Sequence, residues 1–210
     1  MFDWSDEHKQ IRRALRQFIR QEVEPHNDAM ESGTPPYGPM RKLAEMLGLR
    51  ERVAKMLERS ARDDDDDGAR RGQDPYLAAL LAVELSRVNP GFTMAFGATI
   101  GLCGQTIARR GTPEQKQRWA APVLCLDKIG CWAITEPGSG SDAFSMRTLA
   151  KKVGDDRYVL NGSKTFITNA PHADVLVVYA KLDIAGEEPG RRPPQAFVLE
   201  RGMSGLSTGK

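Results

Sequence analysis

Hydrophobic residues recur at intervals of three and four along the first half of the chain, which is the spacing of amphipathic helices. In the first such segment Ile11, Leu15 and Phe18 form one apolar stripe. Ser5 precedes this segment and is a favourable N-cap, while Pro25 predicts that the helix stops or bends. The same periodicity predicts further helices over residues 40–60, 75–88, 92–110 and 112–121.

Polar residues interrupt and bound these predicted helices. Gly48 is expected to break the second helix into two pieces, and the Asn-Pro-Gly sequence at 89–91 is expected to end the third. Thr112, followed by proline, predicts a new helix start. Residues 63–67 are five consecutive aspartates, whose mutual repulsion favours a solvated loop over a metal site.

From residue 128 onward the pattern changes to short apolar runs that are typical of β-strands. Two of these runs, 158–160 and 164–168, are predicted to pair as a hairpin, because Asn161-Gly162 between them is a strong turn signal. The spacing of the runs favours an antiparallel barrel or sandwich. Further strands are predicted over residues 129–135, 174–181 and 195–200.

The predicted fold class is therefore α+β, with an N-terminal all-helical domain followed by an antiparallel β domain. Pro122 marks the change of pattern, so the predicted domains are residues 1–122 and 123–210. A chain of 210 residues is long enough to bury a core without disulfides or metals.

Composition adds only a few constraints. Apolar residues make up 40% of the chain and charged residues 28%, and the net charge of +2 predicts neither a nucleic-acid surface nor an acidic partner. The sequence has no apolar run of about 20 residues and no signal-peptide pattern at its start. Cys103, Cys125 and Cys131 form no C-x-x-C pair, so no disulfide framework and no zinc site are predicted, and a reduced, cytoplasmic setting is expected.

The polar turn after the first predicted strand is the best candidate for chemistry. Residues 138–143 fit the loose pattern G-x-G-x-x-A of dinucleotide-binding loops. A Rossmann loop needs a crossover helix and a parallel strand, and the hairpin expected next disfavours that interpretation. A hairpin loop without a ligand is the second alternative. The third is a phosphate site, because the turn offers backbone N–H groups and the hydroxyls of Ser139 and Ser141.

Two sequences in this half, CWAITEPGSGSD at 131–142 and NGSKTFITN at 161–169, resemble the flavin-binding signature of the acyl-CoA dehydrogenases. The resemblance extends from the first predicted helix to the final GLSTGK. It implies a helical domain followed by a partial antiparallel β-barrel. It also implies an FAD-dependent oxidoreductase that removes two hydrogens from an acyl-CoA thioester and leaves a trans-2-enoyl-CoA.

The resemblance implies roles for individual residues in the first of these sequences. Trp132, Ile134 and Thr135 are expected to run past the flavin ring, with Thr135 hydrogen-bonded near the hydride-accepting N5 atom. Gly140 and Ser141 are expected at the FAD phosphates. Ser141 is also expected to contact the substrate where the CoA chain enters.

The second sequence is expected to supply the other wall of the flavin site, from Phe166, Ile167 and Thr168. Many relatives carry tryptophan where this chain has Phe166, which keeps a flat apolar face but lacks the indole N–H donor. Without the resemblance, Phe166 would be interpreted as a core aromatic residue in a hairpin.

The family takes its catalytic base from a glutamate in a C-terminal helical domain, which this chain does not include. The resemblance therefore assigns no catalytic residue here, gives Glu136 a structural role in the turn, and implies that the chain alone is inactive. Two alternatives stay open. The first is a short non-enzymatic paralogue that binds acyl-CoA or a partner protein, and the second is a flavin oxidase or monooxygenase with the same fold.

The resemblance also implies partners and a metabolic setting. An acyl-CoA substrate, electron-transfer flavoprotein as electron acceptor, assembly into a homo-oligomer and a place in fatty acid metabolism are expected. The segment after Gly48 lacks the glycine-rich stretch that many relatives carry, so the substrate subgroup stays open.

Overall fold

The computed structural model describes residues 4–61, 75–155, 157–184 and 193–209. Helices form the described part up to residue 124 and strands follow from residue 130, which confirms the predicted order of a helical part and a β part. The aspartate run at 63–67, predicted to be a solvated loop, lies outside the described residues. The α-helices are α1 (Asp6–Phe18), α2 (Asn27–Glu31), α3 (Tyr37–Met46), α4 (Leu49–Ala61), α5 (Pro75–Ser86), α6 (Pro90–Phe96), α7 (Gln105–Arg110), α8 (Pro113–Gln115) and α9 (Ala121–Leu124).

Helix α1 begins as its sequence predicts and ends in a change of helical type. The Ser5 side chain accepts a hydrogen bond from the N–H of His8, so the predicted cap is confirmed. Beyond α1 the chain forms a π-helical segment, Ile19–Val23, and then a single 3₁₀ turn, Glu24–His26. Proline has no N–H to donate and is tolerated in the first turn of a helix, and Pro25 lies at such a position in the 3₁₀ turn, beyond the end of α1.

The boundaries between later helices follow the prediction at one position and correct it at another. Gly48 separates α3 from α4 with a φ of +61°, a backbone conformation that glycine adopts without steric penalty. Asn89, in contrast, begins a helix, because its side-chain oxygen accepts a hydrogen bond of 2.7 Å from the N–H of Phe92. The preceding helix, α5, has already ended at Ser86.

The last helices follow α6 along the chain and precede the first strand. A π-helical segment, Gly97–Gly104, joins α6 to α7 without a break. Thr112 caps α8 in a reciprocal capping box with Gln115, which confirms the predicted helix start. The helical structure continues through Pro122 to Leu124, so the change to strands comes later than the proline suggested.

A buried charge joins α1 to α5. The side chain of Glu84 is only 3% exposed although α5 is otherwise apolar. Its carboxylate accepts hydrogen bonds from Arg12 (2.5 Å) and Arg16 (2.7 Å) of α1. Arg87 completes the cluster at 3.3 Å. Burial acts to raise the pKa of Glu84, but the hydrogen bonds from Arg16 and Arg12 outweigh it and hold that pKa below its usual value.

The sheet is mixed rather than antiparallel throughout. Its longest strand, β4, pairs in parallel with both β1 and β2 and antiparallel with β5, while β2 and β3 pair antiparallel. Parallel pairing is possible because more than a dozen residues separate β4 from each of those partners. The described sheet is not closed into a barrel. The strands are β1 (Gly130–Ala133), β2 (Leu149–Val153), β3 (Arg157–Asn161), β4 (Val175–Asp183) and β5 (Gln195–Glu200).

The predicted hairpin is wrong, because the chain reverses one turn earlier. The antiparallel pair is β2 with β3, and residues 164–168 form a loop instead of a strand. Gly162 ends this pair for a packing reason. A Cβ on it would lie 2.7 Å from the Cβ and 2.8 Å from the Cα of Thr148.

Strand β1 is packed on both faces. Cys131 and Ala133 belong to a cluster with Leu176 and Val178 of β4. Trp132 points to the opposite face, where the sheet packs against the helical part through residues such as Cys103. The two faces therefore serve different purposes, since one joins the sheet to the helices and the other packs against the loop that follows β3.

The three cysteines are free thiols, and Cys103 and Cys131 are buried. Burial raises the pKa of both Cys103 and Cys131 to about 12, so neither is a reactive thiolate at neutral pH. In the part of the chain that the structure describes, no helix is long and apolar enough to cross a membrane. The same residues contain no cluster of three metal-ligating side chains.

Candidate functional site

The turn after β1 is a compact structure with one open side. Glu136 and Ser139 exchange two backbone hydrogen bonds, of 2.9 and 3.1 Å. The Ser139 hydroxyl is buried and donates to the C=O of Asp142, so it is used inside the turn. Gly140 and Ser141 are exposed, and their N–H groups donate no hydrogen bond to any described residue. Of the two candidate hydroxyls, therefore, only that of Ser141 is open to a ligand.

Glu136 anchors this turn to the rest of the sheet. Its side chain is 7% exposed and accepts hydrogen bonds from the N–H of Arg147 (2.6 Å), from the N–H and hydroxyl of Thr148, and from the ammonium of Lys164 (2.8 Å). Burial acts to raise the pKa of Glu136. The hydrogen bonds outweigh it, with Lys164 and Thr148 contributing most, and lower that pKa to about 2.

The loop 164–169 lies directly against the end of β1. The N–H of Thr165 donates a hydrogen bond of 3.0 Å to the C=O of Thr135. The Lys164 ammonium donates another of 3.0 Å to the C=O of Ile134. Two short sequences that are thirty residues apart along the chain thus form neighbouring walls of one site.

The three candidate residues of this loop have different surroundings. The Phe166 side chain is 92% exposed, and its backbone has a φ of +57°, which is uncommon for a residue other than glycine. Ile167 packs against the cluster of Cys131 and Ala133. Thr168 is half-buried, and its hydroxyl, like that of Thr135, forms no hydrogen bond with a described residue. The interpretation of Phe166 as a core aromatic residue is therefore wrong.

The side chain of Trp132 packs in a different cluster from that of Ile167 in this loop. Its ring packs edge-on against Tyr179 at 5.2 Å, on the face of β1 that is turned towards the helices. Its indole N–H is buried without a hydrogen-bond partner among the described residues. Trp132 is therefore linked to Ile134 and the turn through its backbone and not through its side chain.

Asn169 joins this site to the helical part of the molecule. Its side-chain amide donates to the C=O of Ala95 (2.9 Å), to the hydroxyl of Thr99 (3.0 Å) and to the C=O of Gly130 (3.3 Å). Its side-chain oxygen accepts from the Tyr37 hydroxyl at 3.3 Å. The amide thereby contacts helix, strand and loop together.

Sequence reasoning missed three residues of this site, namely Lys164, Thr148 and Asn169. Lys164 and Asn169 lie inside the second signature sequence, so the motif contained them, but no local pattern indicates their partners. Thr148 precedes strand β2, which was not predicted because its two lysines make the segment look polar. The one sequence feature that could have indicated Thr148 is Gly162, which lies against it in the structure but was interpreted only as part of a turn.

The arrangement fits a flat ligand that carries phosphates. An exposed aromatic ring and two available hydroxyls lie beside a turn with open N–H groups, the donors that bind phosphate oxygens. Between β1 and β2 the helical structure is a single 3₁₀ turn, Ala143–Ser145, so the crossover helix of a Rossmann site is absent there.

Solved structures with the same fold include dehydrogenases named for CoA thioesters and a chain from a structure of an electron transferring flavoprotein. The structure of butyryl-CoA dehydrogenase from Megasphaera elsdenii superposes with a TM-score of 0.78 at 30% identity, over 100% of this chain and 52% of that one. An acyl-CoA dehydrogenase from Bacillus anthracis complexed with FAD gives 0.73 at 34% identity, over 99% and 33%. A chain from a structure of the electron transferring flavoprotein of Acidaminococcus fermentans gives 0.77 at 30% identity, over 100% and 52%.

The sequence comparisons give the family. Residues 5–125 match the model of the acyl-CoA dehydrogenase N-terminal domain, and residues 131–210 match that of the middle domain. A probable acyl-CoA dehydrogenase of Bacillus subtilis is 35% identical over 99% of this chain and 32% of its own length. The short-chain-specific acyl-CoA dehydrogenase of Megasphaera elsdenii is 36% identical over 79% of this chain and 41% of its own length. The chain belongs to the acyl-CoA dehydrogenase family, and it spans about half or less of the length of these relatives.

Proposed function

We propose that this chain forms the FAD-binding part of an enzyme that dehydrogenates acyl-CoA thioesters to trans-2-enoyl-CoA. The observation that carries the proposal is the hydrogen bond from Thr165 to Thr135, which joins the two signature sequences into one site. When bound, FAD accepts the hydride that leaves the β-carbon. Because the matched relatives are at least about twice as long, the complete activity is proposed for the whole protein, and this chain alone is expected to be inactive.

The first wall of the site is proposed to be the end of β1. Trp132 and Ile134 contribute through their backbone, since the Trp132 side chain packs on the opposite face. The open hydroxyl of Thr135 is proposed to hydrogen-bond the flavin ring near N5, where negative charge arrives with the hydride. A donor already in place for developing charge contributes roughly 3 kcal/mol in comparable sites.

The phosphates and the second wall follow along the chain. Gly140 and Ser141 are proposed to hold the FAD phosphates through their open N–H groups, and Ser141 to contact the entering CoA chain. Phe166 is proposed to stack on the ring. Thr168 is proposed to donate its hydroxyl, and Ile167 fixes the loop between them by packing into the sheet.

The remaining expectations are proposals for the whole protein. Residues 1–122 and 123–210 are proposed as its first two domains, and assembly into a homo-oligomer is expected. Similarity to a chain from a structure of electron transferring flavoprotein supports that protein class as the electron acceptor. A cytoplasmic location and a role in fatty acid metabolism complete the proposal.

The test is titration of the purified, flavin-free chain with FAD and with FMN, followed by quenching of flavin fluorescence. Saturable FAD binding is expected, with weaker binding of FMN because it lacks the second phosphate. Thr168→Val should weaken FAD binding about tenfold, the effect of roughly 1.4 kcal/mol. Thr208→Val, at an exposed position outside the site, is the matched control.

The absence of saturable FAD binding would overturn the proposal, as would equal affinities of the two valine variants. Binding of an acyl-CoA without any binding of FAD would instead favour the non-enzymatic paralogue. Isothermal titration with butyryl-CoA as the probe, on the same preparation, separates these results.

A further inference from the structure

The backbone of the loop 164–169 has an unusual conformation for its sequence. Phe166 and Asn169 both have positive φ values, of +57° and +69°. Such values disfavour a large aromatic residue, so neighbouring contacts must impose the shape. Phe166 makes little contact itself, since its side chain is 92% exposed. The contacts that set its position must therefore come from other residues of the loop.

Lys164 fixes the first end of the loop. Its side chain is only 10% exposed, and its ammonium donates to the Glu136 carboxylate and to the C=O of Ile134. These acceptors lie on the two sides of Thr135, whose own C=O is bound by Thr165. One buried cation therefore sets the distance between the strand end and the loop.

Asn169 fixes the other end. Asparagine tolerates a positive φ better than most residues, and its side chain binds one strand and two helical positions at once. The N–H of Ala170 closes the loop by donating to the C=O of Ile167 at 3.1 Å. Both ends are thus tied down, and the segment between them leaves Phe166 turned outwards.

We propose that Lys164 and Asn169 are positioning residues that hold Phe166 and Thr168 in a ligand-ready arrangement before any ligand binds. The inference rests on the proposed flavin site, whose second wall this loop supplies. Its physical basis is preorganisation, because a loop that is already ordered loses less conformational entropy on binding. Neither residue is assigned a contact with the ligand.

The experiment measures amide hydrogen exchange of the flavin-free chain by mass spectrometry, on peptides covering the loop and, for comparison, β4. Lys164→Met removes the ammonium while keeping an apolar stem. Asn169→Gly keeps a residue that accepts positive φ but removes the side-chain hydrogen bonds. Each should accelerate exchange in the loop about tenfold or more, since hydrogen bonds with charged or buried partners are lost. Exchange in β4 should stay unchanged.

Conservative and control variants separate positioning from a general effect on folding. Lys164→Arg keeps the charge and should restore most of the protection. Lys55→Met removes an exposed lysine whose partner among the described residues is the exposed Glu51, and should leave loop exchange as it is in the unaltered chain. If Lys164→Met also accelerates exchange in β4, its effect on the loop is part of a general effect on folding. The Asn169→Gly variant, which leaves the contacts of Glu136 intact, then decides the test.

FAD titration of the same variants completes the test. An affinity that falls about tenfold together with faster loop exchange supports the inference. Faster loop exchange in the variants of a protein that does not bind FAD would support the positioning role of Lys164 and Asn169 but would overturn the proposed function. Unchanged loop exchange in both Lys164→Met and Asn169→Gly overturns the inference, whatever the flavin affinity.

Discussion

Gly162→Ala is expected to destabilise the β half of the protein strongly for so small a change. The new methyl group would lie 2.7 Å from the Thr148 Cβ and 2.8 Å from its Cα, whereas carbon atoms in contact normally lie about 3.5–4.0 Å apart. A side chain could rotate away, but the Cα belongs to the backbone. The chain at Thr148 or at Gly162 must therefore move by roughly an ångström.

The size of the effect follows from what that movement disturbs. Overpacking a tight site destabilises by about 1–3 kcal/mol. Thr148 also donates both its N–H and its hydroxyl to the Glu136 carboxylate, and weakening one hydrogen bond to a charged group adds about 1.5 kcal/mol. We expect a loss of about 3 kcal/mol in the free energy of unfolding, or a Tm lower by roughly 6–12 °C for a chain of this size.

Urea unfolding followed by circular dichroism measures this loss directly. Gly138→Ala is the matched control, because a Cβ there would meet nothing within 4 Å, and it should change the free energy by less than about 0.5 kcal/mol. Equal midpoints for the two variants, or a Gly162→Ala protein within about 0.5 kcal/mol of the unaltered chain, would refute the packing argument.

The remaining predictions concern the two buried carboxylates. Glu84→Gln removes the charge that three arginines share and should lower the free energy of unfolding by about 1–3 kcal/mol, whereas Glu51→Gln, at an exposed ion pair, should change it by less than about 0.5 kcal/mol. Similar urea midpoints for those two variants would contradict this. The pKa of Glu136 is lowered on folding from 4.5 to about 2, so the stability that it contributes is present above about pH 4.5 and is lost as the pH falls towards 2. Urea unfolding between pH 2.5 and 7 should therefore show the advantage of the unaltered chain over Glu136→Gln, roughly 3 kcal/mol at neutral pH, shrinking in acid, and a constant difference would oppose it.

Features that depend on neighbouring residues were predictable from the sequence. The cap at Ser5, the break at Gly48 and the capping box at Thr112 each need only a few adjacent residues, and each is present. Strand β5 was also predicted with its full length. The helix start at Asn89 could have been recognised, because asparagine before proline is a favourable cap as well as a turn signal.

Features that depend on distant partners were not predictable. Glu84 lies in a largely apolar helix, and no local pattern indicates its partners Arg16 and Arg12, which lie 68 and 72 positions away. The hairpin was misplaced because Lys151 and Lys152 hid a strand whose pairing with β3 involves backbone atoms rather than apolar side chains. The proposed site shows the same limit, since the two signature sequences contain Lys164 and Asn169 but do not indicate that they contact Glu136 and Ala95.

Glu136 shows why a buried carboxylate in a signature turn need not be catalytic. A general base works best with a pKa near the operating pH, so that it is ionised and still accepts a proton readily. Glu136 has a pKa of about 2 and accepts hydrogen bonds from Lys164, Thr148 and the N–H of Arg147. It is therefore too weak a base to accept a proton readily at neutral pH. One of the contacts that disqualify it as a base, the ion pair with Lys164, also joins the turn to the loop 164–169. We therefore propose that Glu136 positions the two walls of the proposed site, and that the proton acceptor of the proposed reaction is another group.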